Sequence, residues 1–181
     1  MKSTIKILLL ALVVVGFTQC KKDDDDNGPG NAEPGEVVFS MGGESFSVTG
    51  ASGIVLTFGS VQTLTITGAI SKKSAFQTES GFSMSIYDEG GIEEKEYGFQ
   101  VDESGTSWGY VTISEWTDDQ YTTYSAVTGE GFITITDLSA NSVSGTFSGT
   151  FAVFSSESNG TETIEVNGGA FNSIPLLSFT E

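Results

Sequence analysis

The chain contains no histidine and no arginine, and it has one cysteine and three prolines in 181 residues. Without histidine there is no Ser-His-Asp triad, no Cys-His pair, no imidazole general base and no histidine-ligated zinc or copper. Without arginine there is no bidentate phosphate clamp. The 24 acids outnumber the 7 lysines, for a net charge of −17. A chain this acidic repels polyanions beyond the Debye length of about 8 Å, so nucleic acid is not an expected partner. A solitary cysteine makes no internal disulfide. The length suits one domain.

The long apolar run is confined to residues 7–17 (ILLLALVVVGF), preceded by Lys2 and Lys6. Eleven residues fall short of the roughly 20 needed to span a bilayer and match a secretory h-region, so residues 1–19 read as a cleaved signal peptide. The run ends in Phe17-Thr18-Gln19-Cys20. This box resembles the bacterial lipoprotein cleavage site, with Gln19 replacing the usual small residue. The resemblance implies that Cys20 becomes the first mature residue and carries a thioether-linked diacylglycerol. A cysteine bearing two or three acyl chains is held on its membrane, at about 0.8 kcal/mol per buried methylene.

After Cys20 come Lys21-Lys22 and four aspartates, then a Gly/Pro/Asn-rich stretch. Residues 20–36 lack apolar side chains to bury and read as a disordered acidic tether. Four consecutive aspartates splay apart rather than converge on calcium. Lys22, Asp23 and Asp24 resemble the export signal of Bacteroidota lipoproteins, which implies display on the outer face of the outer membrane. Removal of residues 1–19 leaves a side-chain charge of about −19, so the mature chain is expected to be soluble and monomeric.

From residue 37 to 181 the pattern has period two. Phe46 and Val48, then Ile54, Leu56 and Phe58, then Leu64 and Ile66, alternate with polar residues. So do Phe82, Met84 and Ile86; Tyr97, Phe99 and Val101; Val111 and Ile113; Ile133 and Ile135. Each set reads as a strand with that apolar face buried. Residues 143–153 form the longest example, with Gly145 and Gly149 on the apolar face marking a bend or close backbone approach. Gly42-Gly43, Gly90-Gly91 and Gly168-Gly169 read as breaks. About ten short antiparallel strands without helical periodicity imply an all-β fold, a jelly-roll-like β-sandwich with a closed barrel as the alternative. LTITGAI and ITITDLS look alike, but their flanks show no fixed repeat.

Residues 131–176 carry a G-x-I-x-I-T strand, an S-G-T-F strand and a threonine-rich hairpin ending in Asn167-Gly168-Gly169-Ala170-Phe171. This order is similar to the C-terminal half of a family of uncharacterised Bacteroidota lipoproteins. The resemblance implies a fold and a location, and no activity.

Two groups of residues are candidate sites. Acids gather at Asp88-Glu89 with Glu93, Glu94 and Glu96, at Asp102-Glu103, and at Glu115 with Asp118 and Asp119. Facing carboxylates would suit a polysaccharide hydrolase at about 5.5 Å for retention or 6.5–9.5 Å for inversion, and clustered ones would suit calcium. The more ordinary expectation is that acidic loops keep the surface solvated. Trp108, Tyr110, Trp116, Tyr121 and Tyr124 crowd a short stretch beside Asp118 and Asp119, as in a sugar-stacking platform, although strand aromatics commonly fill cores. The sequence therefore points to a non-enzymatic surface module taking a glycan or protein ligand, with no cofactor beyond possible calcium ions. A hydrolase using loop carboxylates is the alternative.

Overall fold

The computed structural model describes residues 31–72, 80–100, 105–117 and 120–180. Residues 1–19, expected to be a signal peptide, and Cys20, Lys22, Asp23, Asp24, Val101, Asp102, Glu103, Asp118 and Asp119 lie outside the described residues. The described chain forms β1 (Glu36–Met41), β2 (Glu44–Phe58), β3 (Val61–Lys72), β4 (Gly81–Asp88), β5 (Glu96–Gly98), β6 (Ser107–Thr117), β7 (Gln120–Leu138), β8 (Ser142–Phe154) and β9 (Asn159–Thr180). The all-β reading holds, and the strands are fewer and longer than the turn signals implied. Gly168-Gly169 is not a break: β9 runs through it, with register shifts against both neighbours at this point.

All nine strands belong to one sheet, ordered β5-β7-β6-β4-β3-β2-β1-β9-β8. Neighbours are antiparallel except where β9 meets β2 and at a parallel bridge between Phe99 and Gly109. A β7–β8 pairing joins the two ends, so the sheet returns on itself. Its opposite walls still press together around a filled interior, as the layers of a sandwich do. Alternation explains the filling: in β4, Phe82, Met84 and Ile86 point inward, with Ser83 and Ser85 on the other face. The β1–β2 hairpin turns on Gly42 and Gly43, at φ of 60° and 83°, the left-handed pair that a two-residue turn requires.

Four rings meet inside. Phe39 of β1 stacks on Phe46 of β2 at 5.1 Å, and Phe147 of β8 lies 6.0 Å from Phe39 and 5.6 Å from Phe82 of β4. Edge and offset contacts at such distances add about 0.5–1.5 kcal/mol per pair to the burial itself. The S-G-T-F strand and the Asn167-Gly168-Gly169-Ala170-Phe171 segment account for one side of this packing. Gly145 pairs across the ladder with Phe171, and Phe147 pairs with Gly169. Each phenyl ring covers the bare backbone of the glycine opposite, a reciprocal arrangement that a side chain at either glycine would abolish. These motifs are therefore packing devices.

One expected face is reversed. Ile54, Leu56 and Phe58 point outward and are 43%, 39% and 54% exposed, whereas Ala51 and Gly53 are buried. The cause is a bulge: between Thr49 and Ser52 the β2–β3 register slips, at Gly50 with φ of +67°. One extra residue exchanges the two faces of every later position on the strand.

The body also begins before residue 37. The Gly35 N–H donates to the Asn172 carbonyl at 2.7 Å, and Asn172 Nδ2 donates to the Ala32 carbonyl at 2.9 Å. The last residues assigned to the tether are thus bonded to β9.

At Gly169 an added Cβ would lie 2.6 Å from both the Phe147 ring and its carbonyl oxygen, and at Gly145 it would meet the Thr134 carbonyl and the Phe171 ring. Gly145→Val and Gly169→Val are each expected to cost about 3 kcal/mol, read as a lower denaturation midpoint with an unchanged m-value.

Candidate functional site

The acidic loop after β4 folds around one lysine. Asp88 points inward at the end of its strand and is buried, with Oδ2 2.6 Å from Lys95 Nζ. Its Oδ1 accepts the Gly90 N–H at 2.7 Å. Lys95 also reaches Glu93 Oε1 at 3.1 Å and lies 5.2 Å from the centre of the Tyr97 ring. The Tyr97 hydroxyl closes the turn, accepting the Glu93 N–H at 2.9 Å and donating to the Glu93 carbonyl at 3.1 Å. Glu94 Oε1 accepts the Leu138 N–H at 3.1 Å. Glu89 and Glu96 are exposed. Among the described residues, no three acids are grouped so as to hold a metal ion.

Burial alone raises the Asp88 pKa, but hydrogen bonds from Lys95 and Gly90 outweigh it and hold the carboxyl below its ordinary 3.8. The hydrogen bond to Asp88 in turn raises the Lys95 pKa well above its ordinary value, against partial desolvation. This carboxylate is committed to an ion pair and is not poised as a proton donor near neutrality.

Glu115 faces the interior and is 5% exposed. It accepts the Tyr124 hydroxyl at Oε2, 3.0 Å away. Burial, then the Glu115 charge and this bond, push the Tyr124 pKa far above its ordinary 10.0. Tyr124 is half-buried against the core. It belongs to the interior, apart from the exposed rings.

The other four aromatics fall in two places, and of these Tyr110 also packs against the core. Trp108 and Tyr110, near the start of β6, are half-buried. Trp108 stacks on Tyr87 of β4 at 5.4 Å and 12°, and its Nε1 is shielded without a hydrogen-bond partner among the described residues. Trp116 and Tyr121 are 40% and 52% exposed. They face each other across the β6–β7 hairpin, 6.1 Å apart and inclined at 48°. From Trp108 to Trp116 is eight residues along one strand, about 27 Å. The stretch crowded in sequence is therefore two sites and an interior tyrosine.

Sequence reasoning missed Tyr87, whose strand phase was legible but whose partner depends on β4–β6 pairing. It also missed the outward face of β2. A depression of about 290 Å³ lies between Val55, Leu64, Ile92, Leu138 and Leu176, near the lower limit for small-molecule sites. Comparison of the chain with protein-family models, curated proteins and solved structures returned no match.

Asp88→Asn is expected to cost about 1–2 kcal/mol, since the partly exposed Lys95 recovers some hydration. Because the folded pKa is depressed, the pair's contribution is complete above the ordinary carboxylate value and disappears as pH falls through the folded one. Melting temperatures measured from pH 6 to pH 2 should therefore fall less steeply in the variant. Tyr124→Phe is expected to cost about 1–2 kcal/mol by removing a donor from a buried carboxylate. With the Tyr124 pKa raised, stability present below pH 10 is lost as pH rises toward the folded value. The phenylalanine variant should have a shallower alkaline limb in the same melting series.

Proposed function

We propose that this protein is a lipid-anchored, non-enzymatic binding module of the outer-membrane surface, and that the Trp116–Tyr121 pair takes a glycan. The exposed ring pair carries the reading. Two exposed aromatic faces at a hairpin tip offer stacking for sugar C–H groups, and Asp118 and Asp119 follow Trp116 closely in sequence. The anchoring half of the reading rests on the signal-like segment 1–19, the lipoprotein-like box ending at Cys20, and the Lys22-Asp23-Asp24 signal.

The described carboxylates support binding rather than hydrolysis. Asp88 is held by Lys95, and Glu115 is turned inward toward Tyr124.

The test is a glycan array probed with the mature chain, followed by titration of the best ligand against Trp116→Ala. The expected result is a Kd at least tenfold weaker, with a melting temperature within about 2 °C of the parent, because an exposed ring contributes little to the core. Reducing-sugar release abolished by Glu115→Gln would overturn the non-enzymatic reading, and binding only to a protein ligand would overturn the glycan assignment. Intact-mass analysis of the protein from its own membrane should find acyl chains on Cys20.

A further inference from the structure

The outward turn of β2 creates a surface that the proposed glycan site does not use. Ile54 lies opposite Leu177 and Leu56 opposite Phe179 in the parallel β2–β9 ladder, with Phe58 one step further. Leu177 and Phe179 are 61% and 56% exposed. Five large apolar side chains thus form one patch, about 14 Å along two adjacent strands. Contiguous apolar surface of this kind marks an interaction face more often than chance exposure does.

Charge sets this wall apart from the rest of the molecule. Residues 45–71 and 166–180 contain no charged side chain, although 17% of the chain is charged. These stretches supply most of β2 and β3 and the C-terminal part of β9, which lie side by side. Acids stand elsewhere on the sheet: Glu36 at the start of β1, Glu130 and Asp137 on β7, and Glu162 and Glu165 in the N-terminal half of β9.

The incoming chain arrives at the same wall. Ala32 and Gly35 bond to Asn172, five residues before Leu177 on β9. Those five residues span about 17 Å. The eleven links from Cys20 to Asn31 reach at most about 40 Å. An acyl group on Cys20 therefore lies within reach of the patch without drawing the tether taut.

We propose that Ile54, Leu56, Phe58, Leu177 and Phe179 dock against the lipid surface into which Cys20 is anchored, so that the charge-free wall faces the bilayer and the acidic walls face away. The proposal rests on the anchoring reading above. A second copy of the chain is the less favoured occupant, because each copy carries a net charge of −17 or more negative and like charge opposes close approach. Burial of apolar side chains at the headgroup boundary needs no cationic residue when the lipid is zwitterionic.

The mature chain with Cys20→Ser, which has no acyl group, is mixed with phosphatidylcholine vesicles and floated on a density gradient. The expected result is partition into the vesicle fraction that 0.5 M salt does not reverse and that falls at least tenfold when Leu56→Ser, Leu177→Ser and Phe179→Ser are combined. Circular dichroism and melting of the triple variant verify its fold. In a second measurement, Phe179→Trp in the Cys20→Ser background is expected to show added emission that brominated phosphatidylcholine quenches. Vesicle partition equal in parent and triple variant, or a Trp at position 179 unaffected by bromolipid, would overturn the docking surface. So would a dimer in sedimentation equilibrium that the triple variant abolishes, with no vesicle partition, which would assign the patch to self-association. Absence of acyl mass on Cys20 in the native protein would overturn the anchoring reading alone, because the unlipidated chain decides the docking surface by itself.

Discussion

Close approach of opposite walls is the constraint on which this molecule depends, and it is met by setting phenyl rings against glycines. Gly145 opposite Phe171 and Phe147 opposite Gly169 let β8 and β9 present large rings inward without side chains colliding across the ladder. Phe147 can then reach Phe39 and Phe82 on other strands. The same device recurs where the Phe99 ring sits over Gly131 and Gly149, beside the register shift between Ala126 and Gly131. A sheet that returns on itself must bend, and glycine at the points of closest approach allows it to bend without opening a cavity.

A second consequence of bending is that strand faces are not constant along their length. The slip at Gly50 exchanges inside and outside in the middle of β2, so the same strand buries Phe46 and Val48 and exposes Leu56 and Phe58. The exposed half lies beside the C-terminal part of β9, where β1 has not yet begun. The apolar patch, the charge-free wall and the point of chain entry thus share a geometric origin: the short β1 leaves β2 and β9 to pair directly.

The acidic residues divide in a way that composition could not reveal. Asp88 and Glu93 fold a loop around Lys95, and Glu115 is buried with a tyrosine hydroxyl as donor. Asp88 is paired with the Lys95 ammonium, whereas Glu115 receives the neutral Tyr124 hydroxyl. The exposed aromatic pair at the β6–β7 tip, with Trp116 and Tyr121 facing each other across the hairpin, is the feature on which the proposed ligand contact rests.

Strand identity was determined locally, because alternation of phenylalanine, isoleucine and valine with serine and threonine admits only one face at a time to the core. The all-β class, the inward face of β4 and the close approach at Gly145 and Gly149 were legible for that reason. So were the exclusions that follow from lacking histidine and arginine, which no fold can reverse. Tertiary structure alone decided that nine strands form one sheet, since pairing partners are distant in the chain and alternation does not name them. It also separated Trp108 from Trp116 and Tyr124, neighbours in sequence that an extended strand carries to different places. The reversed face of Ile54, Leu56 and Phe58 belongs to the same class: a bulge of one residue leaves periodicity intact on both sides while changing which side meets water.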